Sequence, residues 1–295
     1  MKISGFTFVR NALLFGFPIY ESIHSLLPLC DELIIAAGKS DDDTVTYLKS
    51  LQNKKIKIIE TEWDNSLREG GLIYSQQTNI ALNECKGDWC IYLQADEVLH
   101  EDDYDLIINE INSADSNPSI EALLFRYLHF YGSYDYIGTG RQWYRREIRA
   151  FRNTGNVISW GDAQGFRIKE NDKFRKLMAK QTNARVFHYG WVKPPAIQNM
   201  KYNYTQMYYN KDVKFDLKSF DAEKYFDYNS AYELEEYHGT HPKIMSKRIE
   251  MDKEWTKYFD PSKLKKKPLL MKISDKIEKS TGWRMGEFKD FIEVK

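Results

Sequence analysis

The sequence predicts an α/β protein, a sheet of strands flanked by helices, followed from about residue 194 by a mainly helical C-terminal region. Three observations carry that expectation. Short apolar runs of strand type recur with helix-length segments between them, the pattern of parallel βαβ units. One of these runs, Trp89-Cys90-Ile91-Tyr92-Leu93, has no polar break, as suits a strand buried on both faces. Past Pro194 a tyrosine-rich stretch, Asn199 to Tyr209, and a basic run, Lys263-Leu264-Lys265-Lys266-Lys267, replace the strand pattern.

Taken in order, Ile3 to Val9 is a first strand that stops at Arg10-Asn11. Pro18 opens a helix whose apolar residues Ile19, Ile23, Leu26 and Leu27 follow the spacing of one buried face. Leu33 to Ala37 is a second buried strand, ended by Gly38-Lys39-Ser40-Asp41-Asp42-Asp43-Thr44. A helix near Thr44 to Leu51 leads to a third strand, Lys55 to Glu60. The loop Trp63 to Gly71 is long and polar; Gly70-Gly71 permits close backbone approach, and Arg68 suits either a diphosphate or solvent. A helix to about Cys85 feeds the central strand. Beyond it Tyr104, Ile107, Ile108 and Ile111 make another helix face, and Leu123 to Phe130 and Ile148 to Phe151 read as strands on either side of a Gly- and Tyr-rich loop. Pro242, after Gly239-Thr240-His241, opens a C-terminal helix.

The chemistry-bearing residues gather at strand ends. The central strand stops at Gln94-Ala95-Asp96-Glu97, and the carboxyl edge of such a strand is where open α/β sheets bind ligands. Gln94 and Asp96 share a face of extended chain, and a turn would let Glu97 join them. Hard oxygen ligands there suit Mg²⁺ or Mn²⁺ carrying a phosphate; the same residues also suit a plain strand end followed by a helix start. In Trp160-Gly161-Asp162-Ala163, Asp162 is flanked by glycine and close to a tryptophan on a short apolar segment, where a carboxylate is partly desolvated yet reachable, as a catalytic base needs to be. The competing reading is a turn aspartate. His188, ending the strand that begins at Ala184, suits a metal ligand or a packed imidazole.

Composition narrows the classes. At 295 residues there is room for one large core with an appended region, and 43 Lys plus Arg against 43 Asp plus Glu gives nothing that calls for nucleic acid. Three cysteines without ligand spacing suit a reduced, cytoplasmic protein, and no apolar stretch reaches the ~20 residues that span a bilayer. Aromatic residues at 15%, with 20 tyrosines, suit sugar stacking as well as packing.

Residues 1 to about 115 resemble the nucleotide-binding half of a GT-A glycosyltransferase, family 2 in particular. The matching segments are Phe6-Thr7-Phe8-Val9-Arg10-Asn11, Lys39 to Thr44, Gln76-Gln77-Thr78-Asn79, and Gly87-Asp88-Trp89 with Leu93-Gln94-Ala95-Asp96-Glu97. The sequence departs from the family's pattern where Gln94 replaces its first metal-site aspartate, Thr78 its arginine, and Ala37 the acidic residue that meets the base. The resemblance implies a Rossmann-like mixed sheet flanked by helices. It also implies a GT-A domain over 1–193, with nucleotide-sugar binding in 1–115 and the acceptor and catalytic part in 116–193, ahead of the helical 194–295. Phe8, Arg10, Asn11, Asp42, Arg68, Asn79 and Gln94 would meet the donor, Asp96 and His188 would hold Mn²⁺ or Mg²⁺, and Asp162 would be the base.

The implied reaction moves a sugar from a nucleotide-diphosphate sugar to an acceptor hydroxyl, with inversion and metal assistance, and the acceptor is expected to be a glycan or a lipid-linked one. Arg145 or Arg149 would add phosphate contacts, unless the Arg141 to Arg152 cluster is a solvated basic strand, which suits most of its members better. The lysine run is either solvated or rests on anionic lipid at the inner face of a membrane. Two rival classes stay open: a nucleotidyltransferase, which would be expected to carry a Gly-rich, basic phosphate loop where Arg10-Asn11-Ala12-Leu13 stands, and a non-catalytic nucleotide- or sugar-binding protein with a degenerate site, which Gln94 and Ala37 would mark.

Overall fold

The computed structural model describes residues 1–221, 223–284 and 286–294. Its elements run β1 (Ile3–Val9), α1 (Ile19–Leu26), β2 (Glu32–Gly38), α2 (Thr44–Ser50), β3 (Ile56–Thr61), α3 (Leu72–Leu82), β4 (Trp89–Tyr92), β5 (Glu97–Leu99), α4 (Tyr104–Asp115), β6 (Ala122–Tyr131), β7 (Tyr136–Gly138), β8 (Arg146–Arg152), β9 (Val157–Trp160), β10 (Gly165–Glu170), β11 (Lys173–Lys176), β12 (Met178–Trp191), α5 (Pro195–Gln206), β13 (Glu235–Glu236), α6 (Ser246–Thr256), α7 (Leu269–Thr281) and β14 (Ile292–Val294).

The apolar runs pair as their burial requires. β3, β2, β1 and β4 lie side by side and parallel, with α1 and α3 among the covering helices; Ile34, Ile35, Trp89 and Ile91 are wholly inaccessible. β2 lies on one side of β1 and β4 on the other, so the chain reverses direction across the sheet there, and the crevice outside the carboxyl ends of β1 and β4 is the place such sheets hold ligands. β8 adds antiparallel to β4, β6 antiparallel to β8, and β12 parallel to β6, which makes the sheet mixed. A small second sheet, β9-β10-β11, covers α3 through β9 and carries the turn with Asp162.

The expected face of α1 is buried at Ile19, Ile23 and Leu26. The C-terminal region supplies α5, α6 and α7, and also two short strands that the sequence pattern does not signal: β13 pairs with β7, and β14 with the start of β12. Tyr204 and Tyr208 pack with Phe15 and Ile73, and Tyr228, Ala231 and Leu264 pack with Tyr131, so this region is anchored on the sheet by shared apolar clusters. Cys30, Cys85 and Cys90 are buried free thiols. No helix among the described residues is long and apolar enough to cross a membrane.

Candidate functional site

A cleft of about 460 Å³ opens outside the ends of β1 and β4, and Phe8, Arg10, Gln94, Asp96, Asp162 and His188 all line it. Strand register explains the meeting of Asp96 and His188. β12 sets His188 opposite Glu97 of β5 on one side and opposite His129 of β6 on the other, while Tyr189 N–H bonds the Asp96 carbonyl at 2.9 Å. Asp96 Oδ2 and His188 Nε2 stand 3.7 Å apart, both groups largely buried.

The hydrogen bonds fix which nitrogen of His188 is bare. His129 Nε2 lies 2.8 Å from the Tyr144 carbonyl, which only accepts, so that nitrogen carries the proton. Burial holds the His129 ring neutral, leaving its Nδ1 as an acceptor for His188 Nδ1–H at 3.1 Å. His188, whose own pKa burial lowers, therefore turns an unprotonated Nε2 toward a carboxylate oxygen. Two acceptors facing each other suit a cation between them. Gly190 keeps the space open: a Cβ there would fall 2.6 Å from both Asp96 Oδ2 and His188 Nε2. Two donors on one Mg²⁺ or Mn²⁺ with bonds of 2.0–2.1 Å stand about 3 Å apart, so the pair fits such an ion with a small closure.

The chain also brings its own cations. Lys201 Nζ lies 3.3 Å from Asp96 Oδ2 and 2.9 Å from the Gly190 carbonyl. Burial raises the Asp96 pKa, but Lys201, His188 and Lys193 outweigh it and draw the carboxyl down to about 2. Lys193 is buried against Phe17, and that burial, with Lys201 close by, lowers its pKa well below the ordinary lysine value.

Asp162 is held differently. Burial raises its pKa, while Tyr209 O–H, 3.1 Å from Oδ2, works against that shift. Gly71, with φ of 70°, lets the start of α3 come up against it; a Cβ at 71 would sit 2.6 Å from that of Asp162. Gln94 Nε2 reaches the Ala163 carbonyl at 3.5 Å and links the β4 edge to this turn. Four buried polar atoms without a partner, Arg10 Nε, Trp63 Nε1, Tyr74 OH and Gln198 Oε1, belong to residues lining the same cleft. Buried polar atoms are seldom left so.

The remaining predicted residues lie outside the cleft lining. Asn11, at φ 54°, exchanges hydrogen bonds with Asp41 through its side chain. Asp42 accepts from the N–H groups of Leu14 and Thr44, and Arg68 donates to the carbonyls of Met207 and Val213. Asn79 brackets the backbone of Ser159, which steadies the strand leading to Asp162. Glu97 turns inward, away from the cleft. Arg149 is neither a phosphate contact nor part of a solvated strand: it is fully buried and donates to both oxygens of Glu97, at 2.9 and 3.0 Å. β8 is a central strand, and Arg145, Arg146 and Arg152 pair with Glu278 and Glu287, Glu293, and Asp115. His129, Lys201 and Tyr209 were not singled out by the sequence; only the register of β6 on β12 and the approach of α5 bring them in. The group His100, Glu101 and Asp102 precedes α4 outside the cleft lining, its imidazole bonded to Asp102 N–H and Thr240.

A mixed sheet of this order, with a carboxylate and an imidazole converging at its switch point, is the GT-A type of α/β fold. Residues 18–178 match the model of "Glycosyl transferase family 2", and the chain belongs to that family. No curated protein matches it. Among solved structures it is similar to S. aureus TarS 1-349 in complex with UDP (19% identity, TM-score 0.35, 44% of this chain and 36% of that one). It is also similar to mannosyl-3-phosphoglycerate synthase from Rubrobacter xylanophilus (19%, 0.32, 44% and 41%). A third is glucosyl-3-phosphoglycerate synthase from Mycobacterium tuberculosis in complex with Mn²⁺, UDP and phosphoglyceric acid (18%, 0.31, 43% and 43%). The match spans less than half the length of each of these chains.

Proposed function

We propose that the protein transfers a sugar from a nucleotide-diphosphate sugar to an acceptor hydroxyl with inversion, on a glycan or lipid-linked acceptor. The observation that carries this reading is that one cleft holds both a cation-seeking pair, Asp96 with His188, and a separate desolvated carboxylate, Asp162. Asp96 and His188 would hold Mn²⁺ or Mg²⁺, which when bound supplies Lewis-acid relief of charge on the diphosphate. Asp162 accepts the proton of the acceptor hydroxyl as its oxygen bonds the anomeric carbon and the bond to the diphosphate breaks. Tyr209 orients that carboxylate, and Lys201 and Arg10 add positive charge along the cleft. Phe8, Trp63 and Tyr74, with ring centroids 5.8 to 6.2 Å apart, offer apolar faces for the nucleoside. Three buried unpaired cysteines support a reducing, cytoplasmic setting.

One observation favours a metal-free form of the same reaction: Lys201 already places an ammonium on Asp96. The discriminating experiment is thermal stabilisation by UDP, GDP, CDP and dTDP, each with and without Mn²⁺, on the native protein and Asp96→Ala. Stabilisation by one nucleotide that requires Mn²⁺ and is lost in Asp96→Ala supports the metal-bound donor site. Stabilisation indifferent to Mn²⁺ favours Lys201, and none from any nucleotide, in folded protein, removes the donor-site reading. Asp162→Asn is expected to bind the same nucleotide and lose transfer; transfer at the native rate would dismiss Asp162 as the base.

A further inference from the structure

Helix α7 is mounted the reverse way from an ordinary surface helix. Its polar side faces the protein: Ser274 is buried and accepts from Arg141, Asp275 pairs with Lys267 at 2.8 Å, and Glu278 meets Arg145 at 3.1 Å and Arg284 at 2.8 Å. Its apolar side faces out, with Leu269 74% and Leu270 81% exposed, and Ile273 and Ile277 exposed on the next two turns. At 3.6 residues per turn these four form one stripe, and Lys272, Lys276 and Lys279 form the stripe beside it. Trp283 and Phe288, 59% and 79% exposed, follow directly. A helix normally turns its apolar stripe to the core, so this one calls for an apolar neighbour outside the molecule.

The charge around the stripe identifies the neighbour. Lys265, Lys266 and Lys276 make no ion pair among the described residues, and Lys272 and Lys279 reach only exposed glutamates, at 3.9 and 3.5 Å. A second copy docked antiparallel on the stripe about a two-fold axis would bring two lysine rows together and meet their repulsion. We propose that α7, with Trp283 and Phe288, lies in the surface of an anionic lipid bilayer, its apolar stripe among the upper acyl carbons and its lysines on the headgroups. This goes beyond the transfer reaction and holds whether or not that reaction is correct. The lysine run stands next to the cleft: Lys265 bridges to Tyr232, whose N–H donates to Gln142 of the cleft lining at 3.4 Å. A chain held by α7 would therefore keep its cleft near the headgroups.

The test is flotation of the purified full-length chain with phosphatidylcholine vesicles, with and without phosphatidylglycerol. The native protein is expected to float with the anionic vesicles, less so as salt rises, and to remain behind with neutral ones. Lys266→Gln with Lys276→Gln should weaken that partition by about fivefold per lysine, roughly 25-fold together. Leu270→Glu with Ile273→Glu should abolish it, with an unchanged melting temperature, since these side chains are exposed. Failure of the native protein to float, or flotation indifferent to both variants, overturns the proposal. So does a native dimer that the Leu270→Glu, Ile273→Glu protein loses while floating as before, which would make the stripe a contact between copies.

Discussion

Arg149 and Glu97 form an ion pair with no accessible surface on either side chain, directly beneath the loop that carries Gln94 and Asp96. Arg149 also donates to the carbonyls of Ile148 at 2.9 Å and Gln164 at 3.2 Å, while Glu97 accepts from Tyr127 O–H at 2.6 Å and Gln94 N–H at 3.0 Å. Replacing Arg149 by methionine keeps much of the volume but leaves a carboxylate in a dry interior with two neutral donors. Breaking one side of such a pair costs about 3–5 kcal/mol, against a total of about 5–15 kcal/mol for a folded domain. In Glu97→Met with Arg149→Met no charge is stranded, and the unpaired Tyr127 and Gln94 donors cost about 1–3 kcal/mol each. The double variant should therefore lose several kcal/mol less than the two singles added together. Urea unfolding of the four proteins measures this. A loss under about 1 kcal/mol for Arg149→Met, or singles that add within about 0.5 kcal/mol, would refute the coupling.

Two further predictions concern pH. Burial raises the pKa of Asp162, and a base works only when ionised, so kcat/KM should fall as pH drops through that raised value. Tyr209→Phe removes the hydrogen bond that counters the shift and should move this acid limb to higher pH; a limb that stays put would mean that the Tyr209 bond does not act on the base. Glu147, buried in β8, has its carboxyl pushed up to about 8 by desolvation. The folded state then binds a proton that the unfolded state releases above about 4.5, so stability falls as pH rises from there to about 8, at up to about 1.4 kcal/mol per pH unit. Glu147→Gln should flatten that slope in thermal unfolding measured across the window.

The sequence made the first four strands legible because each carries a short strand-type apolar run bounded by polar breaks, unbroken in β2 and β4. It also pointed to Asp96, Asp162 and His188, and the fold brings all three to one cleft, although His188 lies inside β12 and not at the strand end the sequence suggested. It was less informative at Asn11, Asp42, Arg68 and Asn79, because an amide, carboxylate or guanidinium in a loop has the same signature whether it bonds a ligand or the backbone. The arginines of β8 misled for a related reason. A basic alternation reads as solvated until the partners are known, and Glu97, Glu293 and Asp115 are remote in sequence. His129 sits in an apolar strand with no local mark at all; only the pairing of β6 with β12 gives it a role.

β12 is the longest strand; β6 runs along one of its edges, while β14 and then β5 pair along the other. Because side chains alternate across a strand, a slip of one residue would bring Phe187 or Tyr189 to the place of His188. On the proposed reading, competence for the donor is written in the same bonds that hold β12 to β5 and β6. The first 115 residues carry only one of the two groups that face each other across the proposed cation position. That pairing waits for a strand arriving some seventy residues later, so nucleotide binding that depends on it reports the docking of β12 as much as the presence of the donor half.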